Sequence, residues 1–324
     1  MVQETTKNSR LYAVRTFGEN ITAVMDFIRE NWKPLLKYLT YFLLPVCMIG
    51  SLGLNSFMGS YMEMIESFTG SIDNVPDTSR LASMGISGVA YVLLILVASG
   101  LLNTVLFTFM RMRLLKGTDL NGITFSDMKP DFNYCLKRTL LLIPAAILIF
   151  VVVFSLFVVL VFALALITPV LGLLAYVLMF VVLLVCIPLL SLITPTYMME
   201  EDTGLFKAIS KGIRLAFRSF WVILGVEACL YLVYTIVSQF FGLPWMIMMF
   251  IKMFFGLGIE ELDSSWVNNV FFDFAYFLSA VLLTFGGQLL YTLFYIATTY
   301  LYGHAAEKAD HFSIESNISQ FDQL

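Results

Sequence analysis

Two apolar runs, residues 139–167 and 170–197, follow one another with only Thr168 and Pro169 between them. Neither contains a charged side chain. About 20 apolar residues suffice to cross a hydrocarbon core of about 30 Å, so together the runs are too long for one helix. They read as a tight hairpin of two membrane-spanning helices turned at Thr168-Pro169. Runs that meet the same length requirement lie near 37–58, 84–110, 221–242 and 270–301. Composition agrees: 59% of the 324 residues are hydrophobic and 13% charged, with a mean hydropathy of +0.86. An ordinary soluble domain carries about 25% charged residues, and a soluble fold of this composition could not cover its own apolar side chains. The fold class is all-α integral membrane, with six transmembrane helices.

The distribution of Lys and Arg sets the expected orientation. Clusters precede the first run (Lys7, Arg10, Arg15, Arg29, Lys33, Lys37) and follow the second (Arg111, Arg113, Lys116, Lys129, Lys137, Arg138). A third follows the fourth run (Lys207, Lys211, Arg214, Arg218), and Lys308 lies in the tail. Of the 19 basic residues only Arg80 and Lys252 fall on the other side. Both ends of the chain are therefore expected in the cytoplasm, as polar tails over 1–16 and 304–324 around a membrane domain at 17–303. No small-residue cleavage site follows the first run, which is expected to stay as an uncleaved span. Residues 245–258 (WMIMMFIKMFFGLG) are apolar but short, follow Pro244 and end in glycines. A seventh span there would invert the tail, so a re-entrant or interfacial segment on the outer face is expected. The loop at 59–82 is expected to be the one sizeable acidic outer loop.

The even-numbered runs end alike. Val105-x-x-Thr108-Phe109-Met110, Ile193-x-x-Thr196-Tyr197-Met198 and Ile296-x-x-Thr299-Tyr300-Leu301 share the form [IV]-x-x-T-[YF]-[ML], at spacings of 88 and 103 residues. Arg29-x-x-Trp32 before the first run echoes Arg218-x-x-Trp221 before the fifth. If the matches are a true repeat, the unit is an interfacial helix followed by a two-helix hairpin, used three times.

Residues 200–221 (EEDTGLFKAISKGIRLAFRSFW) carry the clearest interfacial pattern. At about 100° per residue, Lys207, Lys211, Arg214 and Arg218 fall in one narrow arc. Leu205, Ile209, Ile213, Ala216 and Phe220 lie opposite, and Asp202 or Thr203 is the expected amino-terminal cap. Before the first run, Ile21, Val24, Met25, Ile28, Trp32 and Leu35 form an apolar stripe with Lys33 and Lys37 across from it. Pro34 suits the first turn of a span. Residues 131–138 repeat the pattern weakly. Such cations either fix topology alone or also bind anionic headgroups, each near the surface contributing about 1 kcal/mol.

Ionisable and amide side chains at depth are costly and often functional. Glu227, Asn103 and Gln288 fall in the inner halves of their runs, where they either bond between helices or line a polar site. Other chemistry finds little support. The four Cys (Cys47, Cys135, Cys186, Cys229) are scattered without a CxxC pair and read as small core residues. His304 and His311 are the only histidines, and no phosphate-binding glycine loop or nucleophile–base set appears. The chain therefore reads as a non-enzyme with no metal, no cofactor and no nucleic-acid partner.

Residues 194–221 resemble the membrane domain fused to some bacterial glycerophosphodiester phosphodiesterases, and its free-standing multi-spanning relatives. The likeness rests on Glu200 or Glu201, Gly204, Ala208, Ile209, Ser210 and Trp221, in that order. The catalytic barrel of the fused members is absent, so their activity does not carry over. The resemblance implies a bacterial-type six-span domain of the cytoplasmic (inner) membrane. Two functions stay open: a non-enzymatic protein that organises anionic lipid or a membrane-protein partner, and a transporter or channel-like protein with a polar site in the inner half of the bundle.

Overall fold

Two helices meet at Thr168, and the turn between them follows from local chemistry. Thr168 is extended (φ −152°, ψ 143°), its side chain accepts from Leu171 N, and Pro169 fills the first helical position. That position has no intrahelical hydrogen-bond partner for an N–H, so proline costs nothing there. The hairpin arms approach closely: a Cβ on Gly172 would lie 2.7 Å from Ala165 Cβ. In this computed structural model, which describes residues 11–70, 78–256 and 269–310, the arms are α3 (Phe125–Ile167) and α4 (Pro169–Ser191). Their large side chains, such as Leu148, Phe150, Phe162, Leu173 and Leu174, are mostly exposed, as expected where the solvent is hydrocarbon.

The other elements are α1 (Phe17–Gly70), α2 (Thr78–Met110), a π-helical turn (Arg111–Leu115), α5 (Ile193–Met199), α6 (Leu205–Arg218), α7 (Phe220–Gly256) and α8 (Val270–Asp310). All regular structure among the described residues is helical. Among the described residues six stretches are long and apolar enough to span a membrane: Phe17–Ile65, Leu81–Leu115, Phe125–Ile167, Val170–Met199, Phe220–Phe255 and Val270–Asp310.

The contacts divide the chain into two units. The first comprises residues 1–35, 103–230 and 293–324, and therefore all of α3 to α6. Its core includes Ala23, Val24, Phe27, Leu106, Phe107 and Ala297. The three similar helix endings lie here and share geometry as well as letters. Thr108, Thr196 and Thr299 are fully buried, and each hydroxyl donates to the carbonyl four residues back, over 2.7, 2.6 and 2.8 Å. Back-bonding satisfies a hydroxyl where no water reaches it. The second unit, residues 36–102 and 231–292, has a core of Leu54, Trp245, Phe272, Tyr276 and Ala280. Trp245 stacks on Tyr276 (ring centroids 6.2 Å apart, 13° between planes) and donates to Asn55 Oδ1 over 3.1 Å.

Several expectations give way. Residues 245–256 are not a separate segment but continue α7, which runs unbroken through Pro244. Lys252 there pairs with Asp273 at 3.4 Å. Residues 257 and 258 lie outside the described residues. The acidic loop is shorter than 59–82, because residues 59–70 belong to α1 and Thr78 opens α2. At the far end α8 extends to Asp310, so His304 and Glu307 are buried helical residues rather than part of a tail. Leu11 and Arg15 are likewise buried.

Candidate functional site

The segment around α6 is built from its connector outward. The acids of Glu200-Glu201 do not hang free. Glu200 Oε1 accepts from Tyr302 Oη at 2.6 Å and pairs with Lys211 Nζ at 2.7 Å. Glu200 Oε2 accepts from Thr203 Oγ1 at 2.8 Å. The amino-terminal cap of α6 is thus Gly204, without a side-chain bond, and neither Asp202 nor Thr203 serves. Arg138 donates to the carbonyls of Tyr197, Glu200 and Glu201. Arg111 Nη1 donates to Met198 O at 2.9 Å, and Nη2 pairs with Glu201 at 2.6 Å. The Tyr134 ring lies between these two guanidiniums, 4.2 and 4.6 Å from its centroid.

On this anchored connector α6 buries Ala208, Gly212, Leu215 and Ala216. The opposite face leaves Phe206 86% and Phe217 64% exposed. Eleven residues apart, they lie only about 20° from one another around the axis. Ser219 then interrupts the helix (φ −123°, ψ 20°), and Trp221, 80% exposed, opens α7. A matching interruption at Asn31 (φ −118°, ψ 15°) breaks α1, and exposed Trp32 follows it. Pro34 therefore does sit in a first turn after a break. Residues 131–138, by contrast, belong to α3 without a break, and its start is held by a Thr124–Asp127 capping box.

The cations singled out by spacing fare differently. Lys207 is exposed and makes no ion pair among the described residues. Lys211 is largely committed to Glu200. Arg214 reaches both oxygens of Asp310 at 3.2 and 3.1 Å. Arg218 donates to Ala309 O at 3.0 Å. Lys33 stands 5.8 Å from the Trp32 ring centroid and Lys37 5.2 Å from that of Tyr38; both are exposed.

The amino-terminal stretch meets the end of α8 within the same unit. Arg15 N–H donates to His304 Nδ1 at 2.9 Å, and its guanidinium lies 5.1 Å from the Tyr300 ring centroid. Burial lowers the Arg15 pKa from its ordinary value, partly offset by Tyr300 and Glu19. A Cβ on Gly303 would fall 2.1 Å from Leu11 O, so only glycine permits this approach.

Asn103 is buried and donates to Thr139 Oγ1 at 3.2 Å. Glu227 is 7% exposed, and neither carboxyl oxygen has a hydrogen-bond partner among the described residues. Ser191 neighbours it, but that hydroxyl donates to Pro188 O at 3.1 Å. No hydrogen bond joins Asn103 to Glu227. Gln288 belongs to the second unit, where its amide donates to Ser99 Oγ at 3.4 Å.

Arg111, Arg138 and Asp131 escaped the spacing argument, which counted the arginines as topology signals. The available signal was residue type: arginine suits several acceptors in one plane where lysine does not. No family model, curated protein or solved structure matches the chain.

Proposed function

We propose that the chain is a non-catalytic polytopic domain of the bacterial cytoplasmic membrane that gathers anionic lipid around α6. One observation carries this reading: Phe206, Phe217 and Trp221 are exposed beside Lys207, Arg214 and Arg218 on an amphipathic helix at the mouth of a span. Aromatic rings prefer the headgroup depth, and cations held there contribute about 1 kcal/mol each against an anionic leaflet. The Arg214–Asp310 pair, with Arg214 half exposed, contributes about 0–1 kcal/mol, so a lipid can displace Asp310 from Arg214. The one-sided distribution of Lys and Arg supports a cytoplasmic placement of α6 and both chain ends. Trp32, Lys33 and Lys37 supply a second patch of the same chemistry. The likeness of residues 194–221 to bacterial multi-spanning membrane domains supports the same setting.

The test is annular lipid selectivity of the full chain in vesicles, read by electron spin resonance of spin-labelled phosphatidylglycerol against phosphatidylcholine. Neutralising Lys207 and Arg218 to Gln lowers the preference for the anionic lipid by several-fold. Unchanged selectivity in that variant and in one also carrying Lys33→Gln and Lys37→Gln rejects the reading.

A second reading, a transporter or channel-like protein, is favoured by Glu227, a buried carboxyl group on α7 whose oxygens have no hydrogen-bond partner among the described residues. Cysteines placed at 103, 227 and 288 would then react with hydrophilic thiol reagents in sealed vesicles; full protection of all three rejects it.

A further inference from the structure

Residues 308–310 of α8 lie against Lys211, Arg214 and Arg218 on the basic face of α6. Asp310 Oδ2 is 3.1 Å from Arg214 Nη2 and 4.0 Å from Lys211 Nζ, and Oδ1 is 3.2 Å from the same Arg214 nitrogen. Arg218 Nη1 holds Ala309 O, and Lys308 Nζ donates back to Arg218 O at 3.4 Å. The Asp310 carboxylate is held by the α6 cations. Two oxygens of one anion set against Arg214 match what the non-bridging oxygens of a phosphodiester present to a guanidinium.

We propose that Arg214 and Arg218 form a seat for the phosphate of an anionic lipid headgroup, which Asp310 occupies from within the chain when no such lipid is bound. The inference rests on the reading of α6 as leaflet-facing. Phe217 and Trp221 put acyl-chain contacts beside the seat, which distinguishes a lipid from a phosphate free in water. The Arg214 side chain remains 53% exposed, so a headgroup reaches it without any movement of α6. The exposed Asp310 pair is weak enough to exchange. Lipid and the end of α8 thus compete for the same cations, and anionic lipid loosens the last turn of α8.

The experiment uses the full chain in vesicles containing spin-labelled phosphatidylglycerol. Asp310→Asn removes the internal competitor and raises selectivity for that lipid roughly threefold. Arg214→Gln lowers it, and adding Asp310→Asn to Arg214→Gln restores nothing. A gain that persists in the double variant overturns the seat, because it would come from loosened structure rather than freed cations. Should Asp310→Asn change nothing while Lys207→Gln with Arg218→Gln lowers selectivity, competition is rejected and the lipid reading stands. Should none of these variants alter selectivity, both fall together. Inorganic phosphate in the buffer is the remaining arm: it leaves lipid binding by Asp310→Asn unchanged, and displacement of the lipid by it overturns the assignment to a headgroup.

Discussion

Arg111 Nη1 donates to the carbonyl of Met198 over 2.9 Å, across 87 residues of chain. The last carbonyls of a helix have no partner within it, and at the end of α5 Arg111 supplies one. Its side chain is 3% exposed and also faces Asp131, 6% exposed, at 3.6 Å. Lys116 also pairs with Asp131, at 2.5 Å, so removing Arg111 costs chiefly its hydrogen bonds, about 1.5–3 kcal/mol for one from a charged group. Arg111→Ala is expected to lower the unfolding temperature in detergent sharply. Arg113→Ala, which loses only the exposed pair with Glu30, costs about 0–1 kcal/mol. Equal effects of the two would remove Arg111 from its place as anchor of the connector.

The hairpin of α3 and α4 depends on Gly172, whose added Cβ would meet Ala165 Cβ at 2.7 Å and Cα at 3.0 Å. Gly172→Val is expected to destabilise the chain by about 1–3 kcal/mol through overpacking. Ala165→Gly in combination with Gly172→Ala makes room and regains much of the loss. Thermal unfolding of the two variants measures it, and a neutral Gly172→Val would mean that the arms part freely in the membrane.

The six spans were legible because length and uninterrupted apolarity are local properties of the chain, and Thr168-Pro169 marks its turn by residue type alone. The path of α7 past Pro244 was not. Proline breaks helices in water, but neighbouring helices re-satisfy the freed carbonyls within a membrane, and Trp245 is fixed by Asn55 and Tyr276 from distant parts of the sequence. Spacing also placed the α6 cations on one arc correctly. It could not say that Lys211 would turn to Glu200 or that Arg214 would find Asp310, since those pairings depend on where α8 ends. The burial of Arg15 and Arg111, and the carbonyls that Arg138 meets, are likewise tertiary facts, hidden from a count of charges.

The docking of the amino-terminal stretch is set by a single missing side chain. Gly303 lets Leu11 O approach to 2.1 Å of where a Cβ would stand, and Arg15 N–H then bonds His304 Nδ1. Gly303→Ala is expected to displace residues 11–16. Brief trypsin treatment checks it: cleavage after Arg15, slow in the parent chain because that residue is 2% exposed, accelerates several-fold in the variant. His304→Ala, which removes only the acceptor, has the smaller effect, on the scale of one hydrogen bond of about 1 kcal/mol.

Glu227 separates the two functional readings through its own substitution. Its carboxyl oxygens have no hydrogen-bond partner among the described residues, and Ile223, Val226 and Leu230 around it on α7 are buried and apolar. Removing one member of a buried ion pair is costly, whereas a neutral Gln at 227 breaks no ion pair among the described residues and relieves the cost of burying a charge. Glu227→Gln is therefore expected to keep the unfolding temperature or raise it, by an amount on the order of 1 kcal/mol. Annular lipid selectivity is expected to stay at the parent value. A fall in stability as large as that of Arg111→Ala would reveal a partner for the carboxylate and a structural role. Unchanged stability with a loss of proton-dependent solute uptake in proteoliposomes would instead move the centre of function from α6 to the interior of the bundle.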